Sequence, residues 1–489
     1  MTEPAPVLAP LVPHKTAILI VTLLAMYMAV LDSVIVSIAL PSITAFYQTD
    51  ISLTQWTITG YLVTMTATML VFSRLSAYYG KNLVFLSGMI LFTASSLGCA
   101  LAPTLPALVV LRIAQGLGAA MSVSILMAII FEIYSFREQG KVMGILGATV
   151  ALASLSGPIL GGFLVELCGW QSIFFINVPI GMVLVALGIS VMDLRHTERN
   201  GIFIMDWAGA GFLIAAIVSF MLALGLAASG KIAGIPVAAC AVICCAAVIL
   251  FVRIERHHPA PLLEPGIFTR PNFVVPLLGM CLFFSAVMIL YITLPIYLEG
   301  VLGFSPSRVG WFFVLMAAIL VVGSPLVGRA YDCSVRKRYT PAGLLIAAAG
   351  FFLFAVSCGT PDPTILTASV VIIAIGFTLI QSPVNTEIMR GLPAEKSAVA
   401  SGLNSAGRHF AMACGASVAA LIYAHVLHAA GNYGSLTGAD PQVLAGATFL
   451  ALAIAGIFCS AGALLQIIGK KETVTTGRGK SKLPRESRE

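Results

Sequence analysis

Fourteen apolar stretches, divided by charged or Pro/Gly-containing breaks, constrain this chain more than any other feature. They fall near 16–40, 52–73, 83–102, 104–133, 141–165, 172–192, 207–228, 232–252, 273–298, 307–328, 340–358, 363–388, 397–427 and 444–468. A helix rises about 1.5 Å per residue, so runs of about 18 residues or more can cross a bilayer core of about 30 Å. The runs 104–133 and 397–427 exceed one thickness and must tilt or project beyond it. Composition agrees: 59% of the 489 residues are hydrophobic and 10% charged, where a soluble chain carries about 25% charged. No polar stretch is long enough to hold a soluble domain. The first run is longer than a signal-peptide core and no small-residue cleavage site follows it, so it reads as an uncleaved span. The fold class expected is an all-α integral membrane protein.

An even number of spans places both ends on one side. Loops on the N-terminal side and the C-terminal tail then hold nearly all of the 27 basic residues. Only Lys231 and Arg308 fall opposite, and Arg112 and Arg408 lie within spans. The positive-inside rule puts both termini in the cytoplasm. That distribution explains the net charge of +7 without nucleic acid, and lets the tail meet anionic head groups. Ten scattered cysteines offer no CxxC or Cys/His ligand spacing, so no disulfide framework or metal site is expected. Gly479-Lys480-Ser481 lacks the leading glycine of a phosphate loop, and no HExxH or GxSxG occurs, so neither a cofactor nor an enzyme is expected.

The chain also echoes itself. SRLSAYYGKN (Ser73 to Asn82) follows the second run and GRAYDCSVRK (Gly328 to Lys337) follows the tenth. The expected organisation is an N-terminal tail (1–15), a six-span half (16–192), central loops with an inserted hairpin (193–272), a second six-span half (273–468) and a basic tail (469–489). Internal repeats of this kind belong to transporters, with the site at the repeat interface near midplane.

Asp32 is the only charged residue between Thr16 and Leu40, a run ending at Pro41. It lies about 24 Å from the end marked by Lys15. An acid there costs roughly 2.5–3.5 kcal/mol on insertion scales and by default marks an ion or substrate path. A satisfied helix-packing contact is the structural alternative. In the fifth run, Ala153, Gly157 and Gly161 recur every four residues, a stripe that admits a close neighbour, and Pro158 removes a backbone donor beside them.

Seven motifs in order then resemble the fourteen-span drug:proton antiporter family of the major facilitator superfamily. They are LDSVIVSIALP (Leu31 to Pro41), RIAQGLGAA (Arg112 to Ala120), GPILGG (Gly157 to Gly162), GWQSIFFINVPIG (Gly169 to Gly181), DWAGAG (Asp206 to Gly211), YLEGVLGFSP (Tyr297 to Pro306) and LNSAGRHFAMACG (Leu403 to Gly415). The resemblance implies the major facilitator fold, with two six-helix halves plus a central two-helix insertion. It implies export of small amphipathic or toxic compounds driven by proton entry, in a bacterial inner membrane. Asp32 falls on the acid of the first-helix motif and Arg112 on the arginine of the fourth-helix motif, both candidates for proton coupling; Arg112 as a purely structural charge is the alternative. Gly157, Pro158, Gly161 and Gly162 fall on the antiporter motif.

Departures from the family pattern matter as well. The loop after the second span has Ala77 and Tyr78 where the family carries Asp and Arg, whereas the second-half copy keeps Gly328 and Asp332. The resemblance thus implies an asymmetric gating lock, weakened in the first half. Glu299 stands where Gln is commoner, as a solvated charge or a substrate-recruiting acid. Arg408 is a candidate to balance Asp32 or to meet an anionic substrate, and His409 reads as packing. Tyr27, Met28, Trp56, Tyr61 and Phe284 are candidate cavity residues that fit core or lipid-facing positions equally well. Two other readings stay open: a dedicated exporter of a metabolite, amino acid or siderophore, and a non-transporting receptor or scaffold.

Overall fold

The computed structural model describes residues 14–49, 51–54, 56–194, 206–228, 234–258, 263, 265–304, 306–334, 338–359, 362–430 and 440–479. The Pro-rich N-terminus, Arg195, Arg199, Lys231, Arg336, Lys337 and the tail from Lys480 lie outside the described residues, as do the side chains of Pro158, Lys470, Lys471 and Arg478.

The first half comprises α1 (Lys15–Tyr47), α2 (Ile51–Thr54), α3 (Trp56–Tyr79), α4 (Lys81–Ala100), α5 (Leu105–Ile133), α6 (Gln139–Cys168), α7 (Ser172–Phe175) and α8 (Asn177–Val191). The inserted hairpin is α9 (Trp207–Ala228) and α10 (Ile235–His257). The second half comprises α11 (Pro271–Gly300), α12 (Pro306–Cys333), α13 (Tyr339–Ser357), α14 (Pro363–Arg390), α15 (Ser397–Ala429) and α16 (Pro441–Gly479). Among the described residues, 13 segments are long and apolar enough to cross a membrane, α7 and α8 together making one. The 30-residue α6 completes fourteen.

Local chemistry sets several helix ends. Thr104 accepts a hydrogen bond from the Ala107 amide at 3.4 Å, with a proline in the first turn of α5. Asp362 accepts one from the Thr364 amide at 2.8 Å and does the same for α14. The first helix departs from expectation by running through Pro41 to Tyr47. Packing overrides the proline there. Ile43 is fully buried, and the Tyr47 hydroxyl donates to the Ala102 carbonyl at 2.8 Å, holding the final turns against the end of α4.

The two halves meet along α6 with α12, and along α3 and α5 with α15. Their hydrogen bonds gather toward the end of the bundle that carries Lys15. Ser382 donates to the Gly140 carbonyl at 2.7 Å, and Arg390 donates to Gln139 at 3.1 Å. Asp332 accepts from the Gly140 and Lys141 amides at 3.1 and 2.9 Å, placing a carboxylate on the N-terminus of α6. Ser73, in the altered first-half loop motif, donates to the Ala398 carbonyl of α15. A neutral hydroxyl thus ties the halves on one side, and a carboxylate ties them on the other.

Beside this seam Lys15 bonds Glu138 at 2.7 Å. That bond, with a second from Ser135, holds the Glu138 carboxyl below the usual carboxylate range. The lowered value means the charged tie is complete at neutral pH and is lost only as pH falls through Glu138's depressed titration.

The hairpin covers one flank of the seam. Its α9 packs on both α3 and α15, with Phe220 stacked on Phe410 at 5.0 Å, while α10 packs on α9. Asp206 caps α9 by accepting from the Gly209 amide at 2.6 Å, and Glu255 near the end of α10 accepts from the Leu263 amide.

Gly144 marks one of the tight points of the α6–α12 contact. A β-carbon there would sit 2.5 Å from the Ser324 carbonyl oxygen and 2.8 Å from the Pro325 Cα. Gly144→Leu is therefore expected to wedge the Lys15 end apart. Spin labels at the exposed positions Arg137 and Arg329 should report a longer mean distance than in the otherwise unsubstituted pair. An unchanged distance distribution would refute the wedge.

Candidate functional site

Asp32 is fully buried in α1, and three side chains answer its two oxygens. Arg112 of α5 donates from Nη1 to Oδ2 at 2.5 Å. Gln115, one turn further along α5, donates to Oδ1 at 3.0 Å, and Asn177 at the start of α8 donates to the same atom at 3.0 Å. Ser96 of α4 accepts from both amides, at 3.2 and 3.1 Å, and passes its own hydrogen to the Phe174 carbonyl at 3.1 Å.

Arg112 is held as firmly. Its Nε donates to the Thr57 carbonyl of α3 at 2.8 Å and its Nη1 also to Gln115 at 2.6 Å. The guanidinium lies 4.3 Å from the Tyr61 ring centroid and 5.6 Å from that of Phe174. Its Nη2 is buried without a partner among the described residues. A charge pair removed from water is tolerable only when such bonds satisfy its remaining atoms. Five helices, α1, α3, α4, α5 and α8, converge to supply them.

The structure brings together Asp32, Arg112 and Tyr61 and sets the other sequence candidates apart. Tyr61 is fully enclosed, its hydroxyl donating to the Ala29 carbonyl at 3.3 Å, so it belongs to the ion-pair site and lines no open cavity. Tyr27 is half-buried and shares a 2.7 Å hydrogen bond with Ser156 of α6. Met28 is enclosed beside Met89 and Phe92. Trp56 stands exposed at the start of α3, and Glu299 is exposed at the end of α11. Glu132 pairs with Lys81 at 2.6 Å.

Arg408 does not balance Asp32. It is buried in the second half, donating to Asn385 of α14 at 3.1 Å with its guanidinium 4.9 Å from the Phe284 ring centroid. The first half already supplies Asp32 with a counter-charge, so a second cation has no place beside it. His409 points back along its own helix to the Ser405 carbonyl at 2.8 Å.

Gly157 and Gly161 are buried and Gly162 is open. A β-carbon at Gly157 would meet Val34 of α1 at 3.0 Å, so the small-residue stripe lets α6 approach the helix that carries Asp32. Gly328 lies against the Gly140 carbonyl, one turn from Asp332, which also faces Arg390 at 3.5 Å.

Sequence reasoning missed Gln115, Asn177 and Ser96. The first two were visible as amides inside the quoted motifs RIAQGLGAA and FINVP. Ser96 carried no signal, because serine is common in membrane helices.

Arg112→Gln is expected to cost about 3–5 kcal/mol of stability in detergent by leaving Asp32 without its counter-charge. The double variant Asp32→Asn/Arg112→Gln should lose clearly less than the sum of the two single changes. Chemical unfolding of all three variants measures this, and simple additivity would mean that the pair is not coupled.

With this geometry in view, the comparisons with known proteins agree on one family. The Major Facilitator Superfamily profile matches residues 22–202 and 195–416. The multidrug resistance protein Stp of Mycobacterium tuberculosis is 30% identical over 414 residues, covering 84% of this chain and 76% of its own length. The riboflavin transporter RibZ of Clostridioides difficile is 28% identical over 422 residues, covering 85% and 89%. The multidrug transporter protein MdtP of Bacillus subtilis is 28% identical over 375 residues, covering 75% and 67%. Among solved structures, the human organic anion transporter MFSD10 superimposes with a TM-score of 0.61 at 14% identity, over 91% of this chain and 100% of that one. At that identity the likeness concerns the fold alone.

Proposed function

Because the chain belongs to the Major Facilitator Superfamily, a family of membrane transporters, we propose that it is a proton-coupled exporter of small amphipathic or toxic compounds. It works by alternating access in a bacterial cytoplasmic membrane, with both termini in the cytoplasm. The observation that carries this reading is the fully buried Asp32–Arg112 pair, a titratable charge network inside an apolar bundle. The names of the relatives Stp and MdtP support the substrate class.

In the proposed cycle, a proton reaching Asp32 cancels one member of the pair. Arg112, whose Nη2 is already unpartnered, then keeps its charge without compensation. Breaking a buried pair from one side is worth about 3–5 kcal/mol. That is comparable to what one inward proton gains, about 2.3 kcal/mol per 100 mV of membrane potential. Protonation can thus exchange one packing of α1, α5 and α8 for another. Release of the proton to the cytoplasm restores the pair. At the Lys15 end, Asp332 on the N-terminus of α6 and Gly328 against Gly140 act as the catch that opens and closes the cytoplasmic path.

A second reading, a dedicated metabolite exporter, is favoured by the named riboflavin transporter among the relatives. Breadth of substrate separates the two: ethidium and riboflavin should each release protons under the first reading, and one of them alone under the second.

The decisive measurement is substrate-induced proton movement in liposomes, unsubstituted protein beside Asp32→Asn. Coupled movement should fall to the protein-free background in Asp32→Asn, with folding checked by the retained helical signal. Full coupling in that variant would remove Asp32 from the proton path.

A further inference from the structure

The second half buries a cation that the protein does not neutralise. Arg408 is 5% exposed, and no carboxylate among the described residues lies within ion-pair distance of it. Of its donors, one on Nη2 reaches a neutral acceptor, Asn385 Oδ1, and Nε is buried with no acceptor. The face of Phe284 supplies only a weak substitute for a counter-charge. Arg112 is the natural control: equally buried, it has Asp32 at 2.5 Å.

The surroundings of Arg408 share the same incompleteness. On α15, Ser401, Asn404, Ser405 and Arg408 stand at i, i+3, i+4 and i+7 and so lie on one face. That face looks across the seam, since Asn404 donates to the Met127 sulfur and Ser405 to the Val123 carbonyl, both on α5. On α14, Gln381 and Asn385 are also one turn apart, and Gln381 meets the first half at Gly147. Three of these residues bury an oxygen without a partner: Gln381 Oε1, Ser401 Oγ and Asn404 Oδ1. Buried polar atoms are ordinarily satisfied, so a cluster of orphans around an unpaired guanidinium requires explanation. It stands at the seam between the halves, roughly 16 Å along α15 from Ser397, where alternating access must open.

We propose that Arg408 is the anion-binding residue of the substrate site, and that the exporter takes compounds carrying a carboxylate or similar anionic group beside an aromatic or apolar body. This rests on the export reading above and narrows its substrate class. The guanidinium pairs with the anion, Phe284 lies against the apolar body, and the amides of Gln381, Asn385 and Asn404 receive further polar substituents. Arg112 plays no part in this, because its counter-charge is internal.

The test uses the full chain in nanodiscs of zwitterionic lipid, with 2-naphthoate and its uncharged amide as paired probes, followed by calorimetry. Unsubstituted protein should prefer naphthoate. Arg408→Gln should weaken naphthoate binding by about 30-fold or more while changing amide binding little, and Arg408→Lys should recover part of the loss. Equal affinity of the unsubstituted protein for carboxylate and amide would overturn the proposal without any variant. So would Arg408-dependent competition by phosphatidylglycerol but not by naphthoate, which would make the ligand a lipid head group. Proton release driven by naphthoate or by ethidium, measured beside these, reports on the export reading itself, and under this proposal naphthoate drives it. If that release persists while naphthoate binding ignores Arg408→Gln, the substrate class fails and the export reading stands.

Discussion

A charge pair can live inside an apolar bundle only if the protein replaces the water it gives up. The Asp32–Arg112 pair does so with two amides, a hydroxyl and a backbone carbonyl drawn from neighbouring helices. That requirement organises the first half. It fixes the rotation of α1, which must present Asp32 inward, and that of α5, which must present Arg112 and Gln115 on one face, as their three-residue spacing allows. It also fixes the start of α8, where Asn177 closes the ring. The stripe of small residues on α6 serves the same end by letting that helix pack on α1 close to Asp32.

The second half has a comparable helical frame without the same closure of charge. Its buried cation is met by an amide oxygen and an aromatic face. The two halves therefore differ in electrostatic completeness more than in architecture. One holds an ion pair whose charges balance within it, and the other leaves its polar groups turned toward the seam. Under the proposed export cycle this divides the labour, with the driving ion handled in one half and the cargo in the other.

Much of the fold was legible because bilayer thickness imposes a length on every span. The apolar runs located the helices, though α1, α3 and α16 run on to Tyr47, Tyr79 and Gly479, well past the runs ending at 40, 73 and 468. Asp32 stood out because an acid is costly in that setting. Arg112 became legible only through motif order, since spacing along the chain says nothing about which helices touch. Three features escaped for physical reasons. Pro41 looked like a stop, yet burial of Ile43 and the Tyr47 hydroxyl bond carry the helix past it. Arg408 was a candidate to balance Asp32 or to meet an anionic substrate, and the sequence does not show that Asp32 is already balanced within its own half. Ser73 looked like the residue of an eroded motif, yet its hydroxyl bonds α15 directly. Hydrogen bonds to backbone carbonyls leave no trace in residue type on the acceptor side.

The placement of α9 bears on how such a molecule can move. It grips α3 of one half and α15 of the other, whereas α6 and α12 pack on each other directly. The strapped edge is held by a third element, and the α6–α12 edge by direct contacts that include Asp332 on the Gly140 and Lys141 amides. Glycine contacts such as Gly144 on Ser324 line that edge, beside the bonds that Asp332, Ser382 and Arg390 make across it. The hairpin gives one side of the seam a brace that the other does without, so any parting of the α6–α12 side must undo bonds that the two halves make to each other directly.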